Sequence, residues 1–218
     1  MTPLEAEVAG EQLWLHPLKG LFWPRENTLM LADLHLGKAA HFRKEGIAVP
    51  RQAEQQNLHR LGQLVASFKV ERVLFLGDLF HSRYNASWES FGHWMQEFSH
   101  IDFELVIGNH DILAPVDYQR VGLKIHQGGL VCGPFLLTHE PLEKPHQKGF
   151  NLAGHWHPGA RLRGRGRQHL SLPCFYFNRF QGVLPAFGAF TGKMAVKPER
   201  GDRIFVVTDQ EIMPFSRN

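Results

Sequence analysis

The chain has 218 residues, 43% of them apolar and 21% charged, which suits one compact domain, 1–218, with a sizeable core. Its opening stretch has no basic start followed by a long apolar run. No segment reaches the roughly 18 apolar residues that cross a bilayer, so a soluble, cytoplasmic protein without a membrane partner is expected. The formal net charge of +3 favours acidic partners such as phosphates or nucleic acid, but only weakly at that size. Cys132 and Cys174 lie far apart, without the paired spacing of a zinc knuckle or redox dithiol, and are expected as buried free thiols. Histidine is the unusual component: there are 14, and imidazole is both the commonest metal ligand and a proton donor near neutral pH.

Along the chain, short β-rich apolar runs at 28–32, 72–76, 103–107, 135–138, 151–153, 175–177 and 203–207 predict strands. Between the first two, residues 51–68 follow the helix-limiting Pro50 and place Leu58, Leu61, Leu64, Val65 and Phe68 on one helical face. Residues 85–98 predict a second helix, capped by Asn85, with Trp88, Phe91, Met95 and Phe98 on its buried side. Alternation of strand and helix implies parallel pairing in the first half. Beyond about residue 121 glycine, proline and short strands take over and predict an antiparallel or mixed second sheet. The fold class expected is therefore α/β, a two-sheet sandwich.

The strand ends carry the chemistry, because in α/β sheets the loops after the carboxyl ends of strands are where sites form. LMLADLHLG supplies Asp33 and His35, two apart, which on an extended segment point the same way and can grip one ion. LFLGDLFH supplies Asp78 after a glycine, and LVIGNHD supplies Asn109, His110 and Asp111. LLTHEP supplies His139, and LAGHWH supplies His155 and His157, again two apart. Carboxylates and imidazoles with one amide oxygen suit manganese, iron or zinc and are too histidine-rich for magnesium or calcium alone. Each piece alone is more often an ordinary turn. Together, fixed residue types after five consecutive strand-like runs are hard to reach by chance.

The ordered motifs D-x-H, G-D-x-x-H, G-N-H-D, an isolated His and G-H-x-H resemble the calcineurin-like metallophosphoesterase superfamily. The resemblance implies an αββα sandwich with two divalent metal ions, most simply manganese, with iron or zinc as alternatives. It implies that Asp33, His35, Asp78 and His157 bind one ion, and that Asp78 bridges to a second held by Asn109, His139 and His155. The ions then activate a hydroxide for in-line attack on phosphorus, His110 serves the leaving oxygen, and Asp111 orients the His110 ring. Many members have a second Asp where this chain has His81, followed by Ser82 and Arg83. His81 and Arg83 are thereby candidate substrate contacts.

A narrower resemblance, carried by LFWP (21–24), ADLHLGKAAHFR (32–43), GDLFHSR (77–83), GHWHPG (154–159) and LPAFGAFTG (184–192), is to the bacterial ligase-associated DNA damage response endonucleases. It implies DNA as substrate and an ATP-dependent DNA ligase and a helicase as partners. The outer motifs are expected to lie outside the metal site. Arg161, Arg163, Arg165 and Arg167 alternate directly after His157 and can track a phosphate backbone, with Lys38, His41, Arg43 and Lys44 as an opposite wall. The alternative activity is hydrolysis of small phosphodiesters or phosphomonoesters such as cyclic nucleotides.

Overall fold

The structure is a computed structural model and describes residues 1–215 apart from 45, 47, 49–52, 82–85, 164–168 and 190. Its first sheet runs β1 (Leu4–Val8), β2 (Glu11–Leu15), β3 (Leu21–Trp23), β4 (Thr28–Leu31), β5 (Arg72–Leu76), β6 (Asp102–Val106) and β7 (Lys124–His126), side by side in chain order. From β1 to β4 each pair is antiparallel, as short hairpin connections require, and from β4 to β7 each is parallel. Parallel neighbours need long crossovers, and these carry α1 (Lys38–Lys44) and α2 (Ala53–Ala66), then α3 (Ala86–Glu97), then α4 (Pro115–Arg120). The two helices expected at 51–68 and 85–98 are thus present, a few residues shorter, and the proposed cap Asn85 lies outside the described residues.

The second sheet holds β8 (Leu130–Cys132), β9 (Phe135–Leu137), β10 (Phe150–Ala153), β11 (Pro158–Arg163), β12 (His169–Phe177), β13 (Gln181–Val183), β14 (Met194–Ala195), β15 (Arg203–Val207) and β16 (Ile212–Phe215). Its order is β14-β11-β12-β13-β10-β9-β8, with β15 paired to β12 and to β16. The pairs β9–β10, β10–β13 and β11–β14 are parallel and the remainder antiparallel, so the sheet is mixed.

Period-two alternation explains how the layers stack. In β4 and β5, Leu29, Leu31, Val73 and Phe75 face one way, where they bury Leu61 and Leu64 of α2 and Phe91 of α3. Met30, Leu74 and Leu76 face the other way and meet Phe135, Leu137, Leu152, Phe175 and Phe205 of the second sheet. Burying each such side chain contributes about 1.5–3 kcal/mol, and this inter-sheet core fixes the two sheets against one another. The structure is thus the expected mixed α/β, two-sheet sandwich. Among the described residues every helix precedes Val121, and the outer face of the second sheet is covered by Trp156, Leu172, Val196 and Phe215 around Cys174 and Tyr176.

Strands β1 and β2 were not expected from sequence. LEAEV and EQLWL alternate polar and apolar, a half-buried pattern that a search for continuous apolar runs passes over. The LFWP motif contributes Trp23 to the inter-sheet core, where its Nε1 donates to Glu11 at 2.9 Å and its ring meets Phe135 edge-on. Cys174 is buried and free, as expected. Cys132 is free but only half-buried, accepting at 3.1 Å from the Arg72 guanidinium.

Candidate metal centre

Every segment that carries a candidate ligand leaves the carboxyl end of a strand, and there the backbone turns sharply. Asp33, His35, Asp78, His155 and His157 have φ of 54°, 48°, 50°, 66° and 47°, the left-handed region that side chains rarely adopt. The expectation that Asp33 and His35, and likewise His155 and His157, lie on extended backbone is therefore incorrect, although Asp33 and His35 still meet in one donor group. Such conformations cost on the order of 1–3 kcal/mol each and persist only where the surroundings over-determine them. Here the loops after β4 and β5 are stitched together, His35 N to Asp78 O at 2.9 Å and His81 N to Leu36 O at 2.9 Å. Gly77, at φ 80°, is needed at the second turn: a Cβ there would lie 2.1 Å from Nδ1 of His139.

The turns sort the donors into two groups, Asp33 with His35 and His157, and Asp78 with His139 and His155; within each group the donor atoms lie within 4.8 Å of one another. His155 and His157 thus serve different groups, as left-handed turns rather than a strand permit. Asp78 faces both, with one oxygen 3.7 Å from His35 Nε2 and the other 3.4 Å from His139 Nε2. Asn109 joins the second group, its side-chain oxygen 2.8 Å from His139 Nε2. Asp33 is held from behind by the backbone N–H of His155, which donates to it at 2.9 Å.

The protonation pattern shows that the donor set fits cations. Nδ1 of His139 donates to Leu76 O at 3.0 Å, and Nδ1 of His157 donates to Gly192 O at 3.2 Å, so both Nε2 atoms carry lone pairs. The bare Nε2 of His157 lies 3.5 Å from a carboxylate oxygen of Asp33 and 3.4 Å from Nε2 of His35. The bare Nε2 of His139 lies 3.0 Å from Nδ1 of His155. Burial, reinforced by Lys38, His157, His81 and His110, holds His35 down to about 2, so its ring stays neutral. Bare Nε2 atoms that face the oxygens of Asp33, Asp78 and Asn109 at these distances repel them unless a cation lies among them, and imidazoles with carboxylates suit a transition metal.

The sequence of residues 27–171 matches the calcineurin-like phosphoesterase family, two thirds of the chain and every strand end just described. The chain belongs to this family. It is accordingly a metal-dependent phosphoesterase, whose family uses a dinuclear centre. Over 98% of this chain and 100% of the other, the structure is similar to the crystal structure of the Pseudomonas putida nuclease MPE, at 31% identity and a TM-score of 0.83. A conserved uncharacterized protein of Streptococcus pneumoniae, described as a predicted phosphoesterase, aligns over 87% of this chain and 97% of its own at 15% identity. Its TM-score of 0.37 is too low to carry an argument. No curated protein matches the sequence.

Of the residues expected from sequence, Asp33, His35, Asp78, Asn109, His139, His155 and His157 converge on one centre. His110 is half-buried at its rim; its N–H donates to Asp78 at 2.9 Å, and its ring centroid lies 4.8 Å from that of His81 and 5.4 Å from that of His35. Asp111 is buried, and its oxygens accept from the N–H groups of Gly108, at 2.9 Å, and Phe80, at 3.2 Å; the bonds described for it run to backbone rather than to the His110 ring. Burial pushes its carboxyl up to about 7, with those two N–H groups pulling the other way. Arg161 is exposed on β11, and the backbone of Arg163 pairs with His169. Arg83, Arg165 and Arg167, and the side chains of His41, Lys44 and Arg163, lie outside the described residues. Lys38 stands at the start of α1, where burial lowers its pKa and Asp78 and Asp33 oppose that shift.

One expectation about the outer motifs is overturned. The segment 184–192, expected away from the site, lies against it: Phe187 N donates to Ala32 O at 2.9 Å and Gly188 N to Asp33 O at 3.1 Å. A Cβ on Gly188 would sit 2.5 Å from Leu34 O, so the GAFTG glycine marks a close backbone approach. That glycine was the available signal.

Proposed function

We propose that the chain is a manganese-dependent phosphodiesterase that cuts DNA internally, acting in repair in the cytoplasm beside an ATP-dependent ligase and a helicase. The observation that carries this reading is the pairing of two donor groups on either side of Asp78, combined with likeness over its whole length to a bacterial nuclease. Asp33, His35, Asp78 and His157 would hold one ion, and Asp78, Asn109, His139 and His155 the other. Two divalent ions there would supply Lewis-acid polarisation of the phosphodiester and activation of water.

His110 then gives its proton to the leaving oxygen, since it is the half-buried imidazole at the rim whose backbone is anchored to Asp78. His81, its ring tilted beside that of His110, donates to a non-bridging phosphate oxygen. Asp111 acts as a positioning residue by bracing the 108–111 turn and the 77–80 loop together through Gly108 and Phe80. Arg83, Arg161 and Arg163 contact the backbone of the bound strand.

Incubating the manganese-loaded protein with circular single-stranded DNA, supercoiled plasmid, a cyclic nucleotide and bis(4-nitrophenyl) phosphate tests this reading. Linearised circles and hydrolysed chromogenic diester are expected. Turnover of the cyclic nucleotide with circles left intact would replace it by a small-phosphodiester hydrolase.

A further inference from the structure

Beside the metal centre, and starting at His157, the structure holds a cleft of about 470 Å³. That is the size of a ligand site, on the order of 300–1,000 Å³. Segments far apart in sequence wall it: the turn between β2 and β3 with Lys19, α2 with Arg60, the segment 186–193 with Lys193, and the turn after β15 with Asp209.

We infer that this cleft is a subsite for the nucleic-acid backbone, in which Lys19, Arg60 and Lys193 take the phosphates next to the scissile one on the His157 side. The inference rests on the nuclease reading above and names where its strand runs. Three cations and one carboxylate line the cleft, and no ion pair among the described residues involves Lys19, Arg60 or Lys193. Burial first, and then repulsion from Arg60 and Lys193, bring Lys19 down to about 8, with Asp209 pulling the other way. A bound anion relieves that repulsion.

The donors are also held in place. Lys19 sits in the left-handed region at φ 67° and its Nζ donates to Ala186 O at 3.0 Å. Arg60 donates to Phe187 O at 3.4 Å, with its guanidinium 4.8 Å above the Phe187 ring. An ammonium has three donors and a guanidinium five, so each keeps free donors for phosphate oxygens. Both hang on residues 186 and 187, which continue into the N–H that holds Asp33 O, so the cleft and the metal centre share one rigid strip of chain. Lys193, exposed, lines the same cleft and supplies a third contact.

The test measures the affinity of the manganese-loaded protein for a labelled single-stranded oligonucleotide with hydrolysis-resistant phosphorothioate linkages, by fluorescence anisotropy over a salt series. Lys193→Gln should weaken binding severalfold at low salt and flatten the slope of log affinity against log salt by about 0.7, the value for one phosphate contact on a single strand. Lys193→Glu should weaken it further. Asp209→Asn, which removes the one carboxylate in the cleft, should tighten binding about two- to fivefold. In kcat/KM, the Lys193 deficit should be severalfold larger on a cleavable oligonucleotide than on bis(4-nitrophenyl) phosphate, which carries no neighbouring phosphate for Lys193 to hold.

Parental salt slopes in both Lys193 variants, or an Asp209→Asn protein that binds no tighter, would overturn the subsite. Equal deficits on the long and short substrates would mean a structural role. The two readings fail separately: cleavage without a Lys193 effect sinks the subsite and keeps the nuclease, whereas a Lys193 effect on binding without cleavage does the reverse. No binding and no cleavage sinks both.

Discussion

Replacing Asp78 by asparagine exchanges one carboxylate oxygen for an N–H₂ group, nearly without change of shape, at a side chain only 3% exposed. In the parent, one Asp78 oxygen accepts from His110 N at 2.9 Å and lies 3.4 Å from the bare Nε2 of His139, and the other lies 3.7 Å from His35 Nε2. An amide oxygen still accepts from His110 N, which leaves the new N–H₂ on the His35 side, where 3.7 Å is beyond a hydrogen bond. The metal-free variant therefore gains no hydrogen bond but sheds a buried, poorly solvated charge, a net gain of about 1 kcal/mol. For a chain of this size about 1 kcal/mol moves the melting midpoint by about 2–4 °C, so metal-free Asp78→Asn should melt about 2–4 °C above the metal-free parent. With manganese the order reverses. A ligand at about 100 times its Kd stabilises by about 2.7 kcal/mol per site, and the variant lacks the charge that both sites share. Differential scanning fluorimetry with and without manganese, together with elemental analysis, reads both effects. An Asp78→Asn protein that retains two equivalents of metal, or that melts below the parent when metal-free, refutes the shared-carboxylate assignment.

His110→Ala should keep full metal content and lose about 10²- to 10⁴-fold in turnover on a diester with a poor leaving group; unaltered turnover there removes it as the acid. Gly77→Ala places a Cβ at φ 80° and 2.1 Å from His139 Nδ1, so overpacking and backbone strain together should cost about 3 kcal/mol, read by denaturant unfolding. His16 is buried at 2% exposure and held down to about 4, by burial first, from its ordinary 6.5. Between these values the unfolded chain binds a proton the folded one refuses, so this residue's share of stability, up to about 3 kcal/mol, is present above pH 6.5 and lost on acidification toward pH 4. His16→Asn can still accept from Leu18 N–H and should flatten the stability profile across that window relative to the parent; an identical profile would remove His16 as a contributor.

The strands that position the site were legible because they are buried on both faces and read as continuous apolar runs, as β4, β5 and β6 do. The amphipathic β1 and β2 were missed for the converse reason. The residues that converge as candidate donors were legible too, because each strand end carries a residue type able to bind a metal. How the donors divide was not legible from spacing, which reads D-x-H and H-x-H as extended pairs; the family resemblance alone implied the division, and the left-handed turns at Asp33, His35, His155 and His157 are what bring His155 beside Asp78 and His157 beside Asp33. Spacing in sequence carries a side-chain direction only where the backbone is regular.

The same reasoning separates the metal centre from the cleft beside it. The candidate metal donors come from five strand ends, and each of those ends carries a local signature, a carboxylate, amide or imidazole directly after an apolar run and next to a glycine at Asp78, Asn109 and His155, that survives in the linear sequence. The cleft has none. Lys19, Arg60, Lys193 and Asp209 sit on a turn, a helix and two loops spread over most of the chain, each unremarked among ordinary surface charges. They meet because β3 pairs with β4, α2 packs on the outer face of β4 and β5, and Ala186 bridges to Ala32 at the end of β4. All three relations run through one strand, the strand that ends in Asp33. A fold that delivers Asp33 to its partners must therefore also deliver Lys19 and Arg60 to within reach of His157, which is why a basic cleft and a metal centre lie side by side although only one of them can be read from the sequence.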